Sequence, residues 1–106
     1  MRVILESPFS GDIARNLAYL RAALRDSLLR GEAPFASHGL YTQPGVLDDS
    51  IAEDRGLGMA AARYWTAVAD KVVVYCDLGI SPGMVEGTDL ARDLNIPVEY
   101  RRLAPQ

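Results

Sequence analysis

The stretch that decides the fold is KVVVYCDLGISPGMVE, residues 71–86. Val72–Cys76 is an unbroken apolar, mostly β-branched run. Such a run is typical of a central strand in a parallel sheet that is covered on both faces. Ser81 and Pro82 follow in the order of a helix N-cap and a first helical residue. A strand that passes through a short turn into a helix is the repeating unit of an α/β fold.

The rest of the chain repeats this alternation of strands and helices. The other strands are predicted over Arg2–Glu6, Ala33–His38 and Ile96–Arg101, and residues 102–106 are predicted as a tail. The order is therefore strand, helix, strand, long loop, helix, strand, helix and strand. It predicts one α/β domain over residues 1–106, a flavodoxin- or Rossmann-like three-layer α/β/α fold with a four-stranded, mostly parallel sheet.

Three helices are predicted between the strands. The first ends at Gly31, the second begins with a capping box in which Ser50 is the N-cap and Glu53 the third helical residue, and the third runs from Ser81 to Leu94. The apolar face of the first helix is predicted at Ile13, Leu17, Leu20, Leu24 and Leu28. That of the second helix, which is predicted to end near Asp70, is Ile51, Leu57, Ala61, Tyr64, Trp65 and Val68.

Composition excludes several classes of function. The 106 residues are 49% hydrophobic and carry a net charge of −3 without a basic block, so a nucleic acid polymer is not an expected partner. The single cysteine excludes an internal disulfide, and a single histidine is too few for a typical zinc site. No metal or cofactor is predicted. No apolar run is long enough for a membrane span, and the N-terminus does not resemble a signal peptide. We expect a cytoplasmic protein that does not bind membranes.

A ligand site is predicted beyond the carboxyl ends of the parallel strands, where loops of an open α/β sheet converge. The three converging segments are SPFSGD (7–12), SHGLYTQPGVLDD (37–49) and DLGISPGMVE (77–86). These candidates also have purely structural interpretations. Residues 7–12 could form an ordinary turn, His38 could be a structural hydrogen-bonding group, and Asp49 could begin a helix. Arg55 could belong to an ion pair on the surface. The ligand-binding candidates are Ser7, Pro8, Phe9, Ser10, Gly11, His38, Tyr41, Asp49, Arg55, Ser81, Gly83 and Met84, and the catalytic candidates are Glu86 and Asp77.

Five features resemble the nucleoside 2-deoxyribosyltransferase-like superfamily, which includes the deoxynucleotide N-glycosidases. They are the SPFSG loop, VADKVVVY (68–75), SPGMVE (81–86), Ala91 and IPVEY (96–100). The greatest resemblance is to a small phage-type branch of unknown function, which would imply the host cytoplasm as location.

The resemblance implies retaining chemistry at a glycosidic bond, with Glu86 as nucleophile. Ser81 would bind a phosphate or a hydroxyl group, and residues 7–11 would line the sugar. The resemblance also implies a homodimer or a higher homo-oligomer whose sites lie across the subunit interface, with Tyr41, Tyr64 and Trp65 as contacts. These enzymes carry an aspartate on the preceding helix, but the residue 24 positions before Glu86 is Ala62.

Three hypotheses follow. The first is an enzyme that hydrolyses or transfers at the N-glycosidic bond of a nucleoside or nucleotide. The second is a catalytically inactive module that binds a nucleotide, such as a phage protein that sequesters a nucleotide signal; the missing helix aspartate favours it. The third is an interaction protein that binds its partner through Tyr41 and Gln43 of the long loop.

Overall fold

The computed structural model describes residues 1–103 and contains four strands and four helices there. The predicted tail from residue 104 onward lies outside the described residues. The elements are β1 Arg2–Glu6, α1 Ile13–Leu29, β2 Ala33–Phe35, α2 Ser37–Leu40, α3 Ala52–Ala67, β3 Lys71–Tyr75, α4 Pro82–Asp93 and β4 Val98–Arg101.

The sheet has the strand order β2-β1-β3-β4, and every pairing is parallel. In β1 the side chains alternate between two cores. Val3 and Leu5 pack on the α1 side with Leu20, whereas Ile4 packs on the other side with Met84 of α4. Helices therefore cover both faces of the sheet, which confirms the predicted α/β fold with a parallel four-stranded sheet.

The buried face of α1 differs from the predicted leucine stripe. The fully buried positions are Asn16, Leu20, Ala23 and Ser27, whereas the two ends of the predicted stripe, Ile13 and Leu28, are exposed. Two polar residues lie on this face because each has a specific partner. Asn16 donates to the backbone carbonyls of Phe9 and Ser10, and Ser27 donates to Glu32. These bonds satisfy the Asn16 Nδ2 and Ser27 hydroxyl donors, which burial would otherwise penalise, while Asn16 Oδ1 has no partner in residues 1–103.

Two predicted boundaries were wrong. The second strand ends at Phe35, and residues that were predicted as strand begin the short helix α2. The predicted capping box before α3 does not form, because Ile51 is the N-cap and has no side-chain cap. Ser50 instead donates through both its hydroxyl and its backbone N–H to Asp48 Oδ1, at 2.6 and 3.0 Å. This local turn competes with helix capping for the same side chain. By contrast, Ser81 caps α4 as predicted.

The predicted apolar face of α3 is mostly on the surface. The only fully buried residue of this helix is Thr66, while Leu57 is 62% and Tyr64 81% exposed. Trp65 is held by its ring contact with Phe35 and by its hydrogen bond to Tyr41. In residues 1–103, no helix has the length and apolar character that crossing a membrane requires.

Candidate functional site

A cavity of about 200 Å³ opens at the carboxyl ends of β1, β2 and β3. All three segments that follow these strands contribute to its wall, and α3 closes the remaining side. The predicted residues that line it are Ser7, Phe9, Ser10, His38, Tyr41, Asp49, Arg55, Ser81, Gly83 and Glu86. Four predicted residues are not among the lining: Pro8, Gly11, Asp77 and Met84. Met84 is 1% exposed and packs in the core, since it lies on the sheet-facing side of α4.

The inner wall carries a pair formed by the half-buried His38 and the buried Ser7. His38 Nε2 and Ser7 Oγ are 2.8 Å apart and share a hydrogen bond. Ser7 is 3% exposed, and burial lowers the pKa of His38 to about 4. The imidazole is therefore neutral at neutral pH, because the cationic form would lose its hydration in this position. The pair fixes the end of β1 to α2.

Arg55 bridges two carboxylates at the mouth of the cavity. Its Nη2 donates to Glu86 Oε1 at 2.7 Å, and its Nη1 donates to Asp49 Oδ2 at 3.4 Å. The hydrogen bond and the charge of Glu86 raise the pKa of Arg55. The three side chains connect the loop before α3 with α4, and each is more than one third exposed. They form a charged rim around a neutral interior.

The N-terminus of α4 forms the wall beside Glu86. Ser81 Oγ accepts the backbone N–H of Met84 at 3.3 Å, so its hydroxyl serves as a cap. Pro82 has no N–H, which leaves the amide of Gly83 as the nearest free donor of the first turn. This end of the helix favours a partial negative charge on a ligand.

Asp77 follows β3 and is hydrogen-bonded on the side of the sheet that α1 covers. Its Oδ1 accepts hydrogen bonds from the hydroxyl of Tyr19 at 2.6 Å and from the backbone N–H of Leu103 at 2.8 Å. Its own N–H donates to the Tyr19 oxygen. These bonds tie the loop after β3 to α1 and to the end of β4. The contacts of Asp77 are therefore those of a residue that positions the loop.

Tyr41 and Gln43, which could serve a partner, both have contacts within the chain. Tyr41 accepts a hydrogen bond from Trp65 Nε1 at 2.8 Å and lies edge-on to Phe35. Gln43 donates to the carbonyl of Leu40 at 3.0 Å. Both side chains hold the long loop over the cavity.

The site also contains a carboxyl group that was not predicted, that of Glu6. It is the last residue of β1, lines the cavity and lies against Gly87 of α4. The alternation of β1 contains the signal, because Ile4 and Glu6 share the face that packs on α4. Ala62, 24 positions before Glu86, also lines the cavity and provides no acid there. In residues 1–103, no cluster of three or more His, Cys, Asp or Glu is suited to hold a metal ion.

Comparisons with known proteins agree with this architecture. The sequence matches a family model described as a domain of unknown function, DUF7768, over residues 1–101. The fold is similar to that of a solved 2-deoxyribosyltransferase from the psychrotolerant bacterium Bacillus psychrosaccharolyticus, with a TM-score of 0.66 and 18% sequence identity. The match covers 100% of this chain and 75% of that enzyme, which is described as a biocatalyst for nucleoside synthesis. No curated protein matches. The predicted deoxyribosyltransferase-like fold is thereby confirmed.

Proposed function

We propose that this chain, which belongs to the DUF7768 family, binds a nucleoside in the cavity and breaks its N-glycosidic bond by hydrolysis or by transfer of the sugar. The observation that carries the proposal is the position of Glu86. Its carboxylate lies at a cavity on the carboxyl edge of the sheet, in a fold shared with a 2-deoxyribosyltransferase.

In the proposed reaction Glu86 is the nucleophile. Arg55 holds Oε1, whereas Oε2 accepts no hydrogen bond from residues 1–103. One oxygen is thus held by Arg55, while the other can attack the anomeric carbon. A water molecule or an acceptor base then releases the sugar from the enzyme. Asp77 orders the loop in this proposal and does not touch the ligand.

The charges of the rim favour a nucleoside over a nucleotide. Three acids and one arginine line the cavity mouth and leave a net charge of −2: Asp49, Asp54, Glu86 and Arg55. A phosphate would meet this negative field, and the guanidinium of Arg55 is already shared by two carboxylates. The volume of about 200 Å³ also lies below the roughly 300 Å³ at which pockets for larger ligands begin.

The first test is an incubation of the purified protein with separate deoxynucleosides, deoxynucleotides, NAD and cyclic nucleotides. Mass spectrometry of the filtrate detects free base, and heating the protein releases any bound ligand. Free base from deoxynucleosides supports the proposal. Intact ligand that is released only by heat contradicts catalysis and indicates a binding module.

The nucleophile is tested by Glu86→Gln. This variant should retain binding and lose turnover by roughly a thousandfold or more, because the amide oxygen cannot form the covalent intermediate. Asp89→Asn on the same helix is the matched control, since Asp89 is 62% exposed and pairs with Arg92. Normal turnover of Glu86→Gln would show that the assignment is wrong.

We also propose a homodimer through the exposed face of α3. Leu57, Tyr64 and Val68 are each more than half exposed on one side of this helix, next to the half-exposed Trp65. Burying such a surface against a second copy would stabilise a chain with a small core. Sedimentation at micromolar concentration should give a dimer. Leu57→Asp should dissociate this dimer, whereas Leu29→Asp on α1, where the leucine is 72% exposed, should not. A monomeric wild type refutes this proposal.

The relation to a phage-type branch and the cytoplasmic location stay predictions.

A further inference from the structure

The end of β1 places a carboxyl group inside the cavity. Glu6 follows Ile4 by two residues, so it points to the same side of the sheet, toward α4. A Cβ atom on Gly87 would lie 2.5 to 2.7 Å from the carboxyl carbon and both oxygens of Glu6. The lack of a side chain at Gly87 therefore provides the space that the carboxyl group occupies.

This carboxyl group has no polar partner in the described part of the chain. The backbone of Glu6 pairs with β3 in the sheet, but no hydrogen bond or ion pair joins its carboxyl group to any of residues 1–103. An isolated carboxylate that is removed from water is costly, so the neutral acid is favoured. Burial accordingly raises the pKa of Glu6 from 4.5 to about 8. At neutral pH the cavity therefore holds a carboxylic acid with a proton available to a ligand.

Unlike Glu6, the other ionisable groups of the cavity have polar partners within the chain. His38 on α2 is neutral and bonded to Ser7. Asp49 and Glu86 share the guanidinium of Arg55, and Asp54 accepts a backbone N–H at the rim. Two glutamates thus line one cavity: Glu6 is protonated in the interior, and Glu86 is paired with Arg55 at the mouth. Such a pair can divide the roles of acid and nucleophile.

We propose that Glu6 is the general acid of this site and protonates the leaving base. The proposal rests on the function proposed above. As the C–N glycosidic bond breaks, its electron pair goes to the base nitrogen, which takes the proton of Glu6, while a Glu86 oxygen bonds to the anomeric carbon. In the second half a water oxygen bonds to that carbon, the ester to Glu86 breaks, and the water proton returns to Glu6.

The test compares two substrates that differ in their need for an acid. The base of 2′-deoxyguanosine needs a proton to leave, whereas 7-methyl-2′-deoxyguanosine is already cationic and releases a neutral base. Glu6→Gln should lower turnover of 2′-deoxyguanosine by roughly 100- to 10,000-fold and that of the methylated substrate by less than about tenfold. Glu86→Gln should lower both. Gly87→Ala, which keeps the acid but displaces it, should follow the pattern of Glu6→Gln.

The pH profile gives a second readout. Wild-type kcat/KM for 2′-deoxyguanosine should fall above about pH 8, and this decline should be absent from Glu6→Gln. Two outcomes would overturn the role of Glu6 but leave the proposed function intact. In the first, the wild type is active and Glu6→Gln is unimpaired. In the second, Glu6→Gln has a wild-type circular dichroism spectrum but loses equal activity on both substrates. If the wild type cleaves neither substrate, the proposed function is refuted, and the role of Glu6 with it.

Discussion

Replacing Glu6 by glutamine should change how the stability of the protein depends on pH. The pKa of Glu6 is about 8 in the folded protein, against 4.5 for an ordinary glutamate. Between these values the folded state holds a proton that the unfolded state releases. The free energy of unfolding therefore decreases as pH rises through this interval. The amide of the Glu6→Gln variant cannot titrate, so the variant lacks this decrease.

The size of the effect follows from the two pKa values. Titration of Glu6 alone should lower the free energy of unfolding by about 1.4 kcal/mol per pH unit between 4.5 and 8, which amounts to about 5 kcal/mol over the interval. This is a large fraction of the roughly 5–15 kcal/mol by which domains are stable. His38 opposes the trend in acid: its pKa is about 4 against 6.5 when unfolded. The wild-type curve should therefore be nearly flat below about pH 6.5 and fall above it.

The assay is urea unfolding at one-unit steps from pH 5 to pH 9, followed by far-UV circular dichroism. Because His38 is present in both proteins, subtracting the wild-type free energy from that of Glu6→Gln isolates Glu6. This difference should rise by about 4 kcal/mol from pH 5 to pH 8 and then level off. Ile4→Val on the same strand face is the matched control. It removes a methyl group from a residue that is 6% exposed, and its cost should not vary with pH.

A difference between Glu6→Gln and wild type that is constant from pH 5 to pH 9 would refute the reasoning. It would show that the folded protein releases the Glu6 proton at the same pH as the unfolded chain. The carboxyl group could then not be held as an acid at neutral pH, and the general-acid assignment would lose its physical basis.

Two further predictions concern other buried charges. Between pH 6.5 and 4 the unfolded chain binds a proton at His38 that the folded protein excludes, so this residue alone contributes a loss of about 3 kcal/mol as pH falls. His38→Gln removes that contribution, so the free energy of unfolding of the variant minus that of the wild type should rise by about 3 kcal/mol from pH 6.5 to pH 4 in urea unfolding; a difference that does not change with pH would contradict it. Arg101→Gln should cost about 3–5 kcal/mol in urea unfolding, because Arg101 is 7% exposed and is bonded to Glu32. Arg92→Gln in an exposed pair is the control and should cost less than about 1 kcal/mol; equal costs would show that burial of Arg101 does not matter.

The strands could be predicted because their signals are local. The apolar run before Cys76 and the Ser81 cap fix β3 and the start of α4 without knowledge of the rest of the chain. The buried face of α1 could not be predicted in this way. Asn16 and Ser27 are polar residues, and only the loop carbonyls and Glu32 that bind them make their burial favourable. A hydrophobic stripe carries no information about such partners.

The position of the cavity also follows from the sequence, since parallel strands bring their following loops to one edge. Its chemistry does not. Glu6 at the end of β1 looks like a charged residue that terminates a strand. Its enclosure depends on Gly87, which is distant in sequence and meets it only in the folded protein. The pairing of Arg55 with Glu86 is likewise a contact between two helices, which periodicity within either one cannot reveal.

Glu6 and His38 together give the interior of the cavity a constant charge over a wide range of pH. Burial raises the pKa of one to about 8 and lowers that of the other to about 4, so both are neutral between these values. A neutral interior does not repel an uncharged base, yet it still offers the Glu6 hydroxyl as a donor. The ionised groups, Arg55 and Glu86, lie at the mouth, where water screens them. Reaction at the bond between base and sugar needs this division, because the base must gain a proton while the sugar meets a carboxylate.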